Sequence, residues 1–123
     1  MLGFLGRRRE VRTNLKQMLA CLNSLAVNLL RFSEMRDFIP KAEDERELRL
    51  EMSLSDLKDF RELADILSGR LSPPELTRSV DVVRSFAVVS EVEGTDFVES
   101  NLDRILRSTR WAIVTIEKVC RVD

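Results

Sequence analysis

Histidine and tyrosine are absent from this 123-residue chain, and it has only one tryptophan, two cysteines, three prolines and four glycines. Without an imidazole there is no His-based acid–base or relay catalysis, no phosphohistidine, no His-ligated haem, and none of the Glu-x-x-His pairs of carboxylate di-iron bundles. No glycine-rich phosphate loop occurs. Cys21 and Cys120 are too few and too isolated for a disulfide framework or a zinc site. In an up-and-down helical arrangement they would stand about 15 Å apart along the axis at about 1.5 Å per residue, too far to bridge. Both are expected as buried thiols in a reducing compartment.

Long apolar runs are also missing. Even Leu19 to Leu30 is interrupted by Asn23, Ser24 and Asn28, well short of the roughly 20 apolar residues of a membrane span. The N-terminus puts apolar residues ahead of basic ones, the reverse of a secretory signal, so a cytoplasmic location is expected. Twenty basic residues against twenty-one acidic ones leave a net charge of -1. That balance gives no overall field to draw in nucleic acid, and stacking aromatics are lacking too, so nucleic acid is not an expected partner.

What is present is helical periodicity. Val11, Leu15, Met18, Leu22, Leu25, Leu29 and Phe32 recur at alternating four- and three-residue intervals, as do Val98, Leu102, Ile105, Thr109, Ala112, Ile116 and Val119. Each run gives a helix one face that another helix must cover. Leu19, Ala26 and Leu30 widen the first seam beyond the narrow stripe of a two-stranded coiled coil.

The first helix is predicted from about Arg8 to Asp37, closed by Pro40. A second runs from about Ala42 to Ser68, with acids in its first turn suited to the helix dipole and Gly69 after its end. Ser53 and Asp56 are spaced like a capping box, so a break there is the alternative to the single continuous helix expected. A capping Ser72 followed by Pro73 and Glu75 opens a third helix to about Val92, whose nearly all-round apolar later half implies burial on several sides. Gly94-Thr95-Asp96 then turns into a fourth helix ending near Arg121. The expected fold is one all-α domain over 1–123, an antiparallel up-and-down four-helix bundle with long first and last helices, with 1–8 as an apolar and basic arm.

Three residue sets could carry function. On the last helix, Trp111 and Val114 project opposite the seam together with Arg104 and Arg107. With Val82, Phe86 and Val89 of the third helix they form a candidate contact surface, since Trp and Arg are favoured at interface hot spots. The leading expectation is a non-enzymatic interaction protein, a homo-oligomer or a small adaptor of a larger assembly, without a cofactor.

The second set is Leu2, Phe4 and Leu5 followed by Arg7, Arg8 and Arg9, an apolar tip with cations suited to an anionic membrane surface. With Val11 to Lys16 after it, this opening is loosely similar to the start of ESCRT-III-like membrane-remodelling proteins, over fewer than 25 residues.

The third set is Asp44 with Glu47 and Glu62 with Asp65, two acidic pairs at one-turn spacing with fourteen residues between. Over about 22 residues this resembles the acidic motif of the all-α nucleotide pyrophosphatases of the MazG type, with Asp44 where that motif has a glutamate. The resemblance implies Mg²⁺ held jointly by both pairs. It requires the chain to fold back near Ser53, because on one straight helix the pairs lie about 27 Å apart at about 1.5 Å per residue. Otherwise Arg46, Arg49, Lys58 and Arg61 make the segment a solvated, ion-paired face.

Overall fold

The computed structural model describes residues 2–39 and 41–122, with side chains from Arg8 to Arg121; Met1, Pro40 and Asp123 lie outside it. Five helices follow one another: α1 (Leu2–Phe38), α2 (Glu43–Ile66), α3 (Pro74–Glu93), α4 (Thr95–Ser100) and α5 (Leu102–Val122). Among the described residues there is no strand, and no helix is long and apolar enough to cross a membrane.

The two apolar seams become the core. Leu15, Met18, Leu22, Leu25, Leu29 and Phe32 of α1 are buried, as are Val98, Leu102, Ile105, Ala112 and Ile116 after Gly94, while Val11 and Val119 at the outer ends are half-buried. Leu50, Leu57, Phe60 and Ala64 of α2 and Leu76, Val80, Val83 and Ala87 of α3 close the same core. Removing each such side chain from water stabilises the fold by about 1.5–3 kcal/mol before chain entropy is counted. Thr109 lies within the second seam at no cost in unpaired hydrogen bonds, because its hydroxyl donates to the Ile105 carbonyl at 2.7 Å.

Each long helix touches two of the other three. α1 packs on α2 and α5, and α3 packs on α2 and α5, whereas among the described residues α1 does not meet α3 and α2 does not meet α5. Paired side chains give the directions. Along α1 and α2, Glu10 meets Arg70 just beyond α2 and Asn28 meets Arg49. Arg61 meets Glu91 and Asp65 meets Arg84 across α2 and α3. On α3 and α5, Ser79 meets Thr115 and Phe86 meets Arg104. In each pair one number rises as the other falls, so these neighbours are antiparallel. The expected up-and-down four-helix bundle is compatible with this set of contacts.

Three boundaries differ from expectation, while the continuity of α2 is as expected. Helical structure begins at Leu2, six residues before Arg8, so the segment expected as an arm forms the first turns of α1. α2 is continuous through Met52 to Ser55, where a break was the alternative. Ser72 does not cap α3: Pro73 is the capping residue, with no side-chain cap bond, and its carbonyl accepts from the Leu76 and Thr77 amides. Pro74 then fills the first helical position, where a missing N–H costs nothing.

The single last helix divides at Asn101, whose backbone leaves helical geometry at φ -117° and ψ 21° and whose side-chain amide donates to the Phe97 carbonyl at 3.0 Å. The later half of α3 is also less covered than its composition suggests, since Val88, Val89 and Val92 are exposed.

Between α3 and α4 the chain reverses at Gly94, with φ 79° and ψ -157°, a region that side chains with a Cβ essentially do not visit. No atom lies within 4 Å of where a Cβ would stand. Gly94→Ala is therefore expected to lower unfolding free energy by about 1–3 kcal/mol through backbone strain alone, measured by urea denaturation. An unchanged midpoint would show that the turn relaxes into an ordinary conformation.

Candidate functional site

α5 buries one side and leaves the other to solvent. At about 100° per residue, Arg104, Arg107, Trp111, Val114 and Lys118 share the side opposite Ile105, Ala112 and Ile116. All five are exposed, Trp111 at 38% and Val114 at 50%. The Trp111 indole is thus partly covered by its neighbours and partly open to water.

The register of the two helices places the α3 residues of the expected surface relative to α5. The buried hydroxyls of Ser79 and Thr115 lie 2.6 Å apart, and the Arg104 guanidinium stacks 5.7 Å from the centroid of the Phe86 ring. With α3 and α5 antiparallel, these two contacts set Val82 level with Trp111 and Val89 beyond Phe86. Val82 and Phe86 are half-buried on the edge of α3 next to α5, and Val89 is exposed. Phe86 is braced from behind by Phe97 of α4 at 6.3 Å between centroids. The result is an apolar strip, Val82, Phe86, Val89 and Trp111, bordered by the cations of α5.

The acidic pairs stay apart. Asp44 and Glu47 lie in the first turns of the unbroken α2, Glu62 and Asp65 in its last, about 27 Å away at about 1.5 Å per residue. Asp65 is engaged otherwise, accepting from Arg84 at 2.6 Å and from Arg61 at 2.9 Å. The hydrogen bond from Arg84 holds its carboxyl below the usual range, with the Arg84 charge and Arg61 adding to the effect. Among the described residues no group of three or more acidic or cysteine side chains gathers where an ion could sit. The joint Mg²⁺ site implied by the resemblance to MazG-type enzymes is therefore not formed.

For the N-terminal set, the side chains of Leu2, Phe4, Leu5 and Arg7 fall outside those described. Arg8 and Arg9 are exposed. A few residues on, Arg12 donates to the Cys120 carbonyl at 3.3 Å, which sets the start of α1 beside the end of α5. Cys120 thus stands near Arg12 and well away from Cys21, and both thiols are free and half-buried, more open than expected.

Two features escape sequence reading. One is a polar network between α1 and α2. Buried Asn28 donates to Asp56 at 2.9 Å, accepts from Arg49 at 2.9 Å, and shares the Asp56 oxygen with Ser24, which donates at 2.8 Å. Burial pushes the Asp56 carboxyl up against the pull of these hydrogen bonds. Burial, followed by the charges of Asp59 and Asp56, pushes the neighbouring Cys21 thiol up to about 11. In sequence Ser24 and Asn28 only interrupt an apolar run, and their partners lie far along the chain.

The other feature is charge segregation. α1 and α5 carry twelve basic against five acidic residues, whereas α2, α3 and α4 carry six basic against fifteen acidic. Counting charge helix by helix would have found it; the near-zero total conceals it.

Comparison with protein families, curated proteins and solved structures finds no match to this chain.

The network generates a paired expectation. Asp56→Ala leaves Asn28 and Ser24 short of an acceptor and should cost about 1–3 kcal/mol. Asp56→Asn keeps an acceptor oxygen and removes the cost of burying a charge, so at pH 7 it should equal or exceed wild type. Because burial raises the folded pKa of Asp56, its ionised form disfavours the fold. The two proteins should therefore converge as pH falls through the carboxylate range. Urea titrations at several pH values measure both effects, and an asparagine variant clearly weaker at pH 7 would mean the ionised hydrogen bonds outweigh burial.

Proposed function

We propose that the protein is a non-enzymatic helical-bundle protein acting through protein contacts, as a homo-oligomer or as a small subunit of a larger assembly. In this reading α1, α2, α3 and α5 are the four members of an antiparallel up-and-down bundle, and α4 is a short bracing turn before the last of them. A cytoplasmic setting fits the two free thiols.

The observation that carries the reading is Trp111, exposed beside Val114 and level with Val82, with Arg104 fixed over Phe86 at its border. A rigid indole with neighbouring guanidinium groups offers large contact area at small entropic cost, the chemistry of an interface anchor. The face is spread along two helices and its centre is apolar, which suits a macromolecular surface better than a small molecule.

Size-exclusion chromatography with light scattering at tens of micromolar should give a mass above the 14.2 kDa of one chain. Trp111→Ala should weaken that association by about tenfold or more, the usual loss on truncating an anchor of about 2 kcal/mol. A constant single-chain mass, indifferent to the substitution, would overturn the homo-oligomer.

A second reading, a peripheral membrane adaptor, is favoured by one observation. The Arg12 to Cys120 contact sets Arg8, Arg9 and Lys16 at the same end as Lys118 and Arg121, next to the apolar start of α1. Flotation with vesicles rich in anionic lipid should fall several-fold when residues 1–9 are deleted and at high salt. Binding unchanged by the deletion would remove this reading.

A further inference from the structure

A second exposed stripe opposes the first in charge. On the outward side of α2, Leu48, Met52 and Ile66 are 52%, 40% and 52% exposed. Around them lie the exposed carboxylates Asp44, Glu51, Asp59 and Glu62. On α5 the exposed apolar pair Trp111 and Val114 lies among Arg107, Arg110 and Lys118. Among the described residues none of these four acids or three cations has an ion-pair partner within the chain. The Arg46 and Lys58 side chains interleaved along α2 do not neutralise its acids in this way.

We propose that the outer stripe of α5 in one copy docks on the outer stripe of α2 in a second copy, head to tail. The inference rests on the protein-contact reading above and names the partner surface. Charge complementarity commits the occupant. α5 against another α5 would bring cations together, and like charges across an interface cost several kcal/mol. An anionic membrane would suit α5 but leave the acidic, apolar stripe of α2 facing water.

A second copy covers both stripes at once. The α5 stripe, about 17 Å from Arg107 to Lys118, fits within the α2 stripe, about 27 Å from Asp44 to Glu62, at about 1.5 Å per residue. Because α2 and α5 do not touch and lie on opposite sides of the helix ring, a copy docked through one stripe leaves its other stripe open. Such a contact is heterologous and does not close at two copies, so the assembly lengthens with concentration.

Charge exchange tests the pairing by sedimentation velocity of the full chain. Wild type should sediment faster as concentration rises at low salt. It should slow toward one chain at about 0.5 M salt, where screening reaches only a few ångströms. A variant with Arg107→Glu and Lys118→Glu, and another with Glu51→Lys and Glu62→Lys, should each lose association by at least about tenfold, since each meets its own kind with like charge. Circular dichroism should show both folded, because all four positions are solvent-exposed.

Mixed in equal amounts, the two variants should associate again, each supplying the charge the other lacks. Failure of the mixture to associate overturns the pairing. So does loss of association on Trp111→Ala combined with indifference to the α2 reversals, and in that case the contact face on α5 stands while its assignment to α2 falls. A single chain at every concentration overturns the pairing together with the homo-oligomer.

Discussion

A 37-residue helix with a broad apolar arc cannot remain alone in water, and covering the arc of α1 organises the rest of the chain. Its seam from Leu15 to Phe32 is too wide for one neighbour, so α2 takes one flank and α5 the other. α3 then closes the ring against both. Short connections at Gly69 and Gly94, both at positive φ, keep consecutive helices antiparallel by letting the chain reverse within a few residues. The interior is built from Leu, Val, Ile, Met, Phe and Ala, and every buried side-chain nitrogen or oxygen among the described residues has a hydrogen-bond partner.

Apolar burial is non-directional, however, and would tolerate a helix slipped by one turn. The polar bonds across the interfaces do not tolerate it. Asn28 meets both Arg49 and Asp56, and Ser79 meets Thr115, only in one register of their helices. Sliding α1 past α2 by a turn would leave the buried Asn28 amide unpaired, at about 1–3 kcal/mol, whereas the Ser79 and Thr115 hydroxyls would lose their mutual contact and keep a carbonyl of their own helix. These contacts therefore favour one alignment among the several that hydrophobic patterning alone would allow, and the alignment of α3 with α5 is what sets Val82 level with Trp111.

Most of the fold was legible from periodicity. The two seams, the continuous α2 and the turn at Gly94 all follow from apolar spacing and a few backbone-specific residues. The division at Asn101 was not legible, because Val98, Leu102 and Ile105 keep perfect spacing across it and Asn is compatible with a helix on its face. The bond from its side chain to the Phe97 carbonyl, four residues back, is a local competitor of helical geometry that apolar spacing does not report. Ser72 shows the reverse: a strong local capping signal went unused because the helix starts a residue later, on Pro74. For the surface, helix projection located Trp111 and Val114 correctly as exposed. It had no means to see the Asn28 network, whose members are 21 and 28 residues apart, or the outer stripe of α2, which read as an ordinary solvated face.

The near cancellation of charge has a consequence for how this molecule meets others. Screening in physiological salt extends about 8 Å, a fraction of the length of either stripe. Farther away than that, a net charge of -1 gives approaching bodies almost nothing to respond to, and arrival is governed by ordinary diffusion. Only on touching does the molecule have two sides. In the proposed assembly, copies would then be sorted after collision by how long they stay, with selectivity residing in dissociation.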